Sequence, residues 1–272
     1  MQDRVISRAV EAGLRLERRD HVMILTLDRP QARNGLSLAL MQAMSEAITA
    51  ISDDREVSAA VLAANGPAFC AGHDLKELTA HRSDADGGRG FYETAMTTCA
   101  TLMQAILASP KPFIAAVQGI ATAAGCQLVA TCDLAVAADE AQFATPGVNI
   151  GLFCSTPMVA LTRNIPRKRA MEMLLLGDLV SASDAAAYGL INRVVSRDQV
   201  LDEALALANQ IASKSPLTVA IGKEAFYRQA EMPVAEAYRY AADVMVRNMM
   251  ARDAEEGIGA FLEKRKPDWK GC

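Results

Sequence analysis

Two stretches of this sequence place small residues where a strand-like run gives way to a helix, and such junctions can do chemistry. The first is NGPAFCAGHDLKEL (65–78) and the second is QGIATAAGCQL (118–128). The first turn of a helix leaves main-chain N–H groups without intrahelical partners. Those groups can bind an anion or a polarised carbonyl. Here they are the N–H of His73 in the first stretch and those of Ala124 and Gly125 in the second. If the two turns face each other, they form a two-donor oxyanion hole. Each also has a purely structural reading. Asp74 and Glu77 have the spacing of a capping box, and Ala and Gly at a helix start let helix pack closely on sheet. Spacing alone leaves both readings open.

The elements that must position these turns alternate along the chain. HVMILTLDRP (21–30) has the β-branched alternation of a strand and SAAVLAAN (58–65) is a buried-strand run. SLALMQAMSEAITAIS (37–52) predicts a helix with Ser37 as N-cap. HRSDADGGRG (81–90) reads as a mobile surface loop, followed by a helix to about residue 108. PKPFIAAVQG (110–119) and DLAVAAD (133–139) predict strands on either side of a short buried helix, AAGCQLVATC. From RKRAMEMLLLG (167–177) the pattern turns helical, and the segments opening at Ser181 and Ser196 start with caps. This predicts an α/β core over 14–197 and a helical region over 198–272.

Composition narrows the partners. Net charge is −4 with no basic stripe interleaved with aromatics, which argues against nucleic acid. No run of about 18 apolar residues predicts a membrane span, and MQDRVISRAVEAG has no apolar leader region. The six cysteines form no C-x-x-C pair and the three histidines are not near them at ligand spacing, so no metal is expected. Reduced thiols point to a cytoplasmic location.

The ordered set LDRPQARNGLS, FCAGHDLKEL, KPFIAAVQGIATAAGCQLVATCDLAVAADEAQFATP, AMEMLLLGDLVSASDAAAYGLINRVV and AFLEKRK resembles the crotonase superfamily, the enoyl-CoA hydratases and isomerases. The resemblance spans about residues 14 to 267. GHDLKEL, AAGCQLVA, FATPGVN and GLFCSTP are most similar to the branch of enoyl-CoA hydratase domain-containing proteins. The resemblance implies a spiral of ββα turns with a helical C-terminal region that builds homotrimers, often paired into hexamers. It implies an acyl-CoA thioester as substrate or ligand and no tightly bound cofactor. The thioester oxygen would sit between the N–H groups of His73 and Ala124. The turn through Gly72, Asp74, Leu75 and Lys76 would border the adenine. Arg29, Arg33 and Lys76 would contact phosphates, and Phe261 and Lys264, from a neighbouring subunit, would close over the nucleotide.

One departure from the family pattern concerns the chemistry. Family hydratases carry glutamates where this chain has Gln127 and Gly147. An amide transfers no proton near neutral pH and glycine has no side chain, whereas positioned acid–base groups contribute ~10²–10⁴-fold. Hydration should therefore fall to what backbone polarisation alone gives, and glutamates at both positions should restore it if the geometry is intact. Cys154, in GLFCSTP, is a candidate nucleophile if a helix N-terminus lowers its pKa; otherwise it is a small buried hydrophobe. The His73 side chain is a candidate base or a loop-packing group, and Glu93 lies on a helix that could reach the pocket. Asp133 reads as a structural acceptor, Asp139 and Glu140 as solvated turn residues, and Tyr240 and Trp269 as packing residues.

Overall fold

The computed structural model describes residues 2–272. The chain enters through helix α1 (Gln2–Ala12), the antiparallel pair β1 (Leu14–Arg19) and β2 (Val22–Leu27), and helix α2 (Leu38–Asp53). Ser37 caps α2, accepting from the Leu40 N–H. Three similar turns of chain follow. The first is β3 (Ala59–Ala64), β4 (Ala68–Cys70) and α3 (Leu75–Ala80). After α4 (Arg89–Ala108) comes the second: β5 (Phe113–Val117), β6 (Ile120–Thr122) and α5 (Ala124–Thr131). The third is β7 (Leu134–Ala138), β8 (Gln142–Ala144), a 3-10 segment at Pro146–Ile150, and α6 (Pro157–Asn164). Then come α7 (Arg167–Leu176), β9 (Val180–Ser181), α8 (Ala182–Tyr188), β10 (Arg193–Val195), and the helices α9 (Val200–Ala212), α10 (Pro216–Ala230), α11 (Val234–Met249) and α12 (Arg252–Leu262).

The repeat explains the sequence pattern. The first strand of each turn, AAVLAA, FIAAV or LAVAA, is buried almost throughout. Strands covered on both faces read as continuous apolar runs and pair in parallel. They lie side by side in a six-stranded sheet of order β1-β2-β3-β5-β7-β10. The second strand of each turn is three residues long, and these assemble a second sheet of order β4-β6-β8-β9. Phe69 on β4, Phe113 on β5 and Phe143 on β8 are fully buried in the core that joins the layers. Each such side chain contributes about 1.5–3 kcal/mol by leaving water.

Several expectations change on contact with the fold. The stretch 81–90 is exposed but tied to itself. His81 stacks on Phe91 at 3.7 Å and bonds Asp84 at 2.7 Å, and the Asp86 carboxylate accepts from the Gly88 and Gly90 N–H groups. Ser181 caps α8 as expected, whereas the Ser196 hydroxyl bonds Asp198, and α9 starts after a further 3-10 turn. Helix α9 packs on β3, β5 and β7 with Val200, Ala204 and Ala208 buried. Helix α9, which opens the helical region expected from residue 198, therefore lies on the sheet.

Helix α10 is pinned to the core by a buried ion pair. Lys223 donates to Asp133 at 2.7 Å and to the carbonyls of Ile106 and Lys111 at 2.9 Å. Asp133 also accepts from the Phe113 N–H and the Tyr227 hydroxyl, so it is the structural acceptor its sequence position suggests. Burial pushes the Lys223 pKa down, and the Asp133 carboxylate opposes that shift. Trp269 packs over Gly257 and donates to the Ser213 carbonyl, and Tyr240 lies under the Arg228 guanidinium.

Candidate active site

The three short parallel strands β4, β6 and β8 end side by side, with Cys70 opposite Ala121 and Thr122 opposite Ala144. Neighbouring strands lie about 4.8 Å apart. Their exits, around His73, Ala124 and Gly147, therefore emerge together at one end of the sheet. Gly72 shows how close the first two are. A Cβ there would stand 2.8 Å from the Ala123 Cβ and 3.3 Å from the Ala124 nitrogen. Its φ of +93° also favours glycine. At the next position on α5, any side chain on Gly125 would overlap the Cys70 carbonyl.

The main-chain donors are free. Helix α5 has no side-chain cap, and the N–H groups of Ala124, Gly125 and Cys126 meet no protein acceptor although all three residues are buried. Ala123 holds φ 50° and ψ −120°, a conformation that costs of order 1–3 kcal/mol outside glycine. Its N–H bonds the Ala144 carbonyl at 2.9 Å, which ties the second exit to the third. On the other turn, Leu36 bonds the Gly72 carbonyl at 2.8 Å and accepts from Asp74 at 3.1 Å. In such a parallel bridge the intervening residue points its own amide away. The His73 N–H therefore turns from Leu36 and finds no protein acceptor.

The residues expected around the nucleotide divide. Asp74 caps α3 through the Lys76 and Glu77 N–H groups, but Glu77 does not close a capping box. Its carboxylate reaches across to the Leu38 N–H at the start of α2. Arg29 is spent within the fold, donating to Asp74 at 3.1 Å and to the Gly35 carbonyl at 2.7 Å. Arg33 and Lys76 are exposed without an ion-pair partner and flank the Gly72 turn, and Leu75 is half exposed beside them. Arg33 accepts from the Ala71 N–H through its carbonyl. Phe261 is 81% exposed at the end of α12, which packs on α10 and α11. Lys264 follows, exposed, with φ 55°. Sequence reasoning missed Asn34, which is fully buried. Its side chain accepts from the Arg29 N–H and donates to the carbonyls of Asn65 and Ala68, locking the first turn to β4. The Arg33-Asn34-Gly35 turn was the available signal, since Asn tolerates the left-handed φ of 53° found here.

Positions 127 and 147, where the resemblance leads one to expect glutamates, hold no carboxylate. Gln127 is 4% exposed, with its Oε1 4.0 Å from the Cys99 thiol. Gly147 is enclosed: a Cβ there would stand 2.8 Å from the Leu152 carbonyl oxygen and 2.9 Å from the Cys154 sulfur. A glutamate at 147 would therefore require the Leu152 carbonyl and the Cys154 sulfur to shift. Cys154 is buried, and burial pushes its pKa up while the Gly147 N–H only partly opposes this. Cys70 and Cys126 are pushed to about 12 and Cys99 to about 11, so the thiols around α5 are protonated and poor nucleophiles. The His73 imidazole is mostly buried with its Nε2 unpartnered, and burial lowers its pKa. It is neutral at pH 7 and a weak base. Glu93 is exposed and paired with Arg89.

Comparison with known proteins agrees with this architecture. The family model described as "Enoyl-CoA hydratase/isomerase" matches residues 17–272. "Enoyl-CoA hydratase domain-containing protein 3, mitochondrial" of Rattus norvegicus is 46% identical over 250 residues, covering 92% of this chain and 82% of that protein. The crystal structure of the human protein of that name superposes with a TM-score of 0.90 at 44% identity, covering 94% of this chain and all of the other. An enoyl-CoA hydratase from Mycobacterium smegmatis gives a TM-score of 0.89 at 52% identity, covering 94% and 98%. With the crotonase spiral and the paired turns in place, the chain belongs to the enoyl-CoA hydratase/isomerase family.

Proposed function

We propose that the protein binds acyl-CoA thioesters, holding the thioester oxygen between the N–H groups of His73 and Ala124, and that it hydrates enoyl-CoA far more slowly than a two-glutamate relative. The supporting observation is the abutment of the two turns at Gly72, with both amides unpartnered. One such donor is worth ~3 kcal/mol to an oxyanion in other enzymes. Backbone donors do not depend on side chains, so binding and enolate stabilisation survive the loss of glutamates at 127 and 147. Arg33 and Lys76 are the cations available for the phosphates. No helix among the described residues is long and apolar enough to cross a membrane. All six cysteines are free, in keeping with the cytoplasmic or another reducing compartment.

We further propose a homotrimer or hexamer. Val234, Met250, Phe261 and Leu262 on and beside α11 and α12 are each more than 70% exposed. Apolar surface on that scale marks an interface, and a neighbouring copy would bring Phe261 and Lys264 to the nucleotide.

A second reading is a non-catalytic acyl-CoA-binding protein. The observation favouring it is the filled space at Gly147, which leaves no room for a second acid. Calorimetric titration with short and long acyl-CoAs, with assays of hydration, isomerisation, decarboxylation and hydrolysis, separates the two. Micromolar binding is expected. Turnover above background supports the enzyme, binding without turnover supports the second reading, and no binding contradicts both.

A further inference from the structure

We infer that Gln127 is a specificity-determining donor that selects acyl-CoA thioesters bearing a second acceptor next to the thioester, of the 3-oxoacyl class. This rests on the thioester-binding reading above and extends it from the CoA end to the acyl group.

Gln127 is 96% buried, on the turn of α5 that begins with the Ala124 amide. Its backbone is fixed by the Ala123 carbonyl at 3.0 Å and by the Thr131 hydroxyl, which donates to the Gln127 carbonyl at 2.7 Å. The Cys99 thiol donates to Oε1 at 4.0 Å, which leaves Nε2 as the side chain's free donor. Nε2 donates to no protein group, yet it is not among the polar atoms sealed from solvent without a partner. An almost wholly buried amide thus keeps an unpartnered donor that is not sealed off.

The surroundings decide what fills it. The α5 N-terminus offers three unpartnered N–H groups and the positive end of its dipole. His73 adds a fourth N–H. The nearby thiols are protonated, and the positions that carry carboxylates in family hydratases hold an amide and a hydrogen. A site of donors without a base or an anion fits a ligand of acceptors. A 1,3-dicarbonyl supplies two: the thioester oxygen for the main-chain pair and the 3-oxo oxygen for Nε2. A glutamate at 127 would present an acceptor to that oxygen and repel it.

The test compares 3-oxobutyryl-CoA with butyryl-CoA, which differ only in that oxygen, by calorimetry on the full-length protein. Wild type should bind the 3-oxo ligand roughly tenfold more tightly. In Gln127→Met, of similar volume, the ratio should fall to about one; in Gln127→Glu it should invert. The ratio is internal to each variant, so a weakened but folded variant still reports. Equal affinities in wild type, or a preference that survives in Gln127→Met, would overturn the inference while leaving thioester binding intact. Failure of wild type to bind either ligand would overturn both.

Discussion

At position 147 the backbone carries only a hydrogen, and the space around it is taken by Cys154 and Leu152. The Cys154 sulfur would stand 2.9 Å from a Cβ at 147, in the space a glutamate stem would need. Overpacking a tight site typically costs 1–3 kcal/mol. Gly147→Ala should therefore lower stability by about that amount in urea unfolding, and Cys154→Gly should recover part of it. A neutral effect of Gly147→Ala would show that the loop yields freely. His73 makes a second prediction at this scale. Burial lowers its folded pKa below the ordinary value of about 6.5. Between those two values the unfolded chain binds a proton that the folded chain refuses, so stability falls as pH falls through that window. His73→Gln should flatten the loss between about pH 6.5 and the lowered folded value, as read by unfolding at a series of pH values. An unchanged slope would mean the imidazole is solvated in the native state.

At the scale of elements, what the sequence reveals depends on how local the signal is. The buried strands of the six-stranded sheet were legible because apolar runs of five or six residues bounded by turns have few other readings. The short strands β4, β6 and β8 were not, since three residues carry no period. Their register emerges only when the three ββα turns stack. The two donor turns were legible as helix starts, but their contact was not: it is made through Gly72 and Ala123, 51 residues apart in the chain. Charged side chains misled for the same reason. Arg29 is bonded to Asp74, 45 residues on; Glu77 looked like half of a capping box and caps a different helix. Lys223 gave no signal at all, though it holds α10 to the core. Removing one partner of a buried pair typically costs about 3–5 kcal/mol. Lys223→Met should destabilise by that order, with Lys223→Met/Asp133→Asn recovering some of it. A loss below about 1 kcal/mol would place Lys223 in solvent instead.

At the scale of the whole molecule, the family's spiral is present, and the proposed function joins a main-chain donor pair at His73 and Ala124 to positions 127 and 147 that carry no carboxylate. That combination predicts polarisation without hydration. The most direct measurement is an isotope-edited infrared difference spectrum of an acyl-CoA labelled with carbon-13 at the thioester carbonyl, recorded bound and free. Two main-chain donors on the oxygen weaken the carbonyl bond, so the band should shift to lower frequency on binding, with an enoyl-CoA surviving in the same sample. An unshifted band would contradict the oxyanion hole, and rapid hydration of the enoyl group would contradict the loss of its acids.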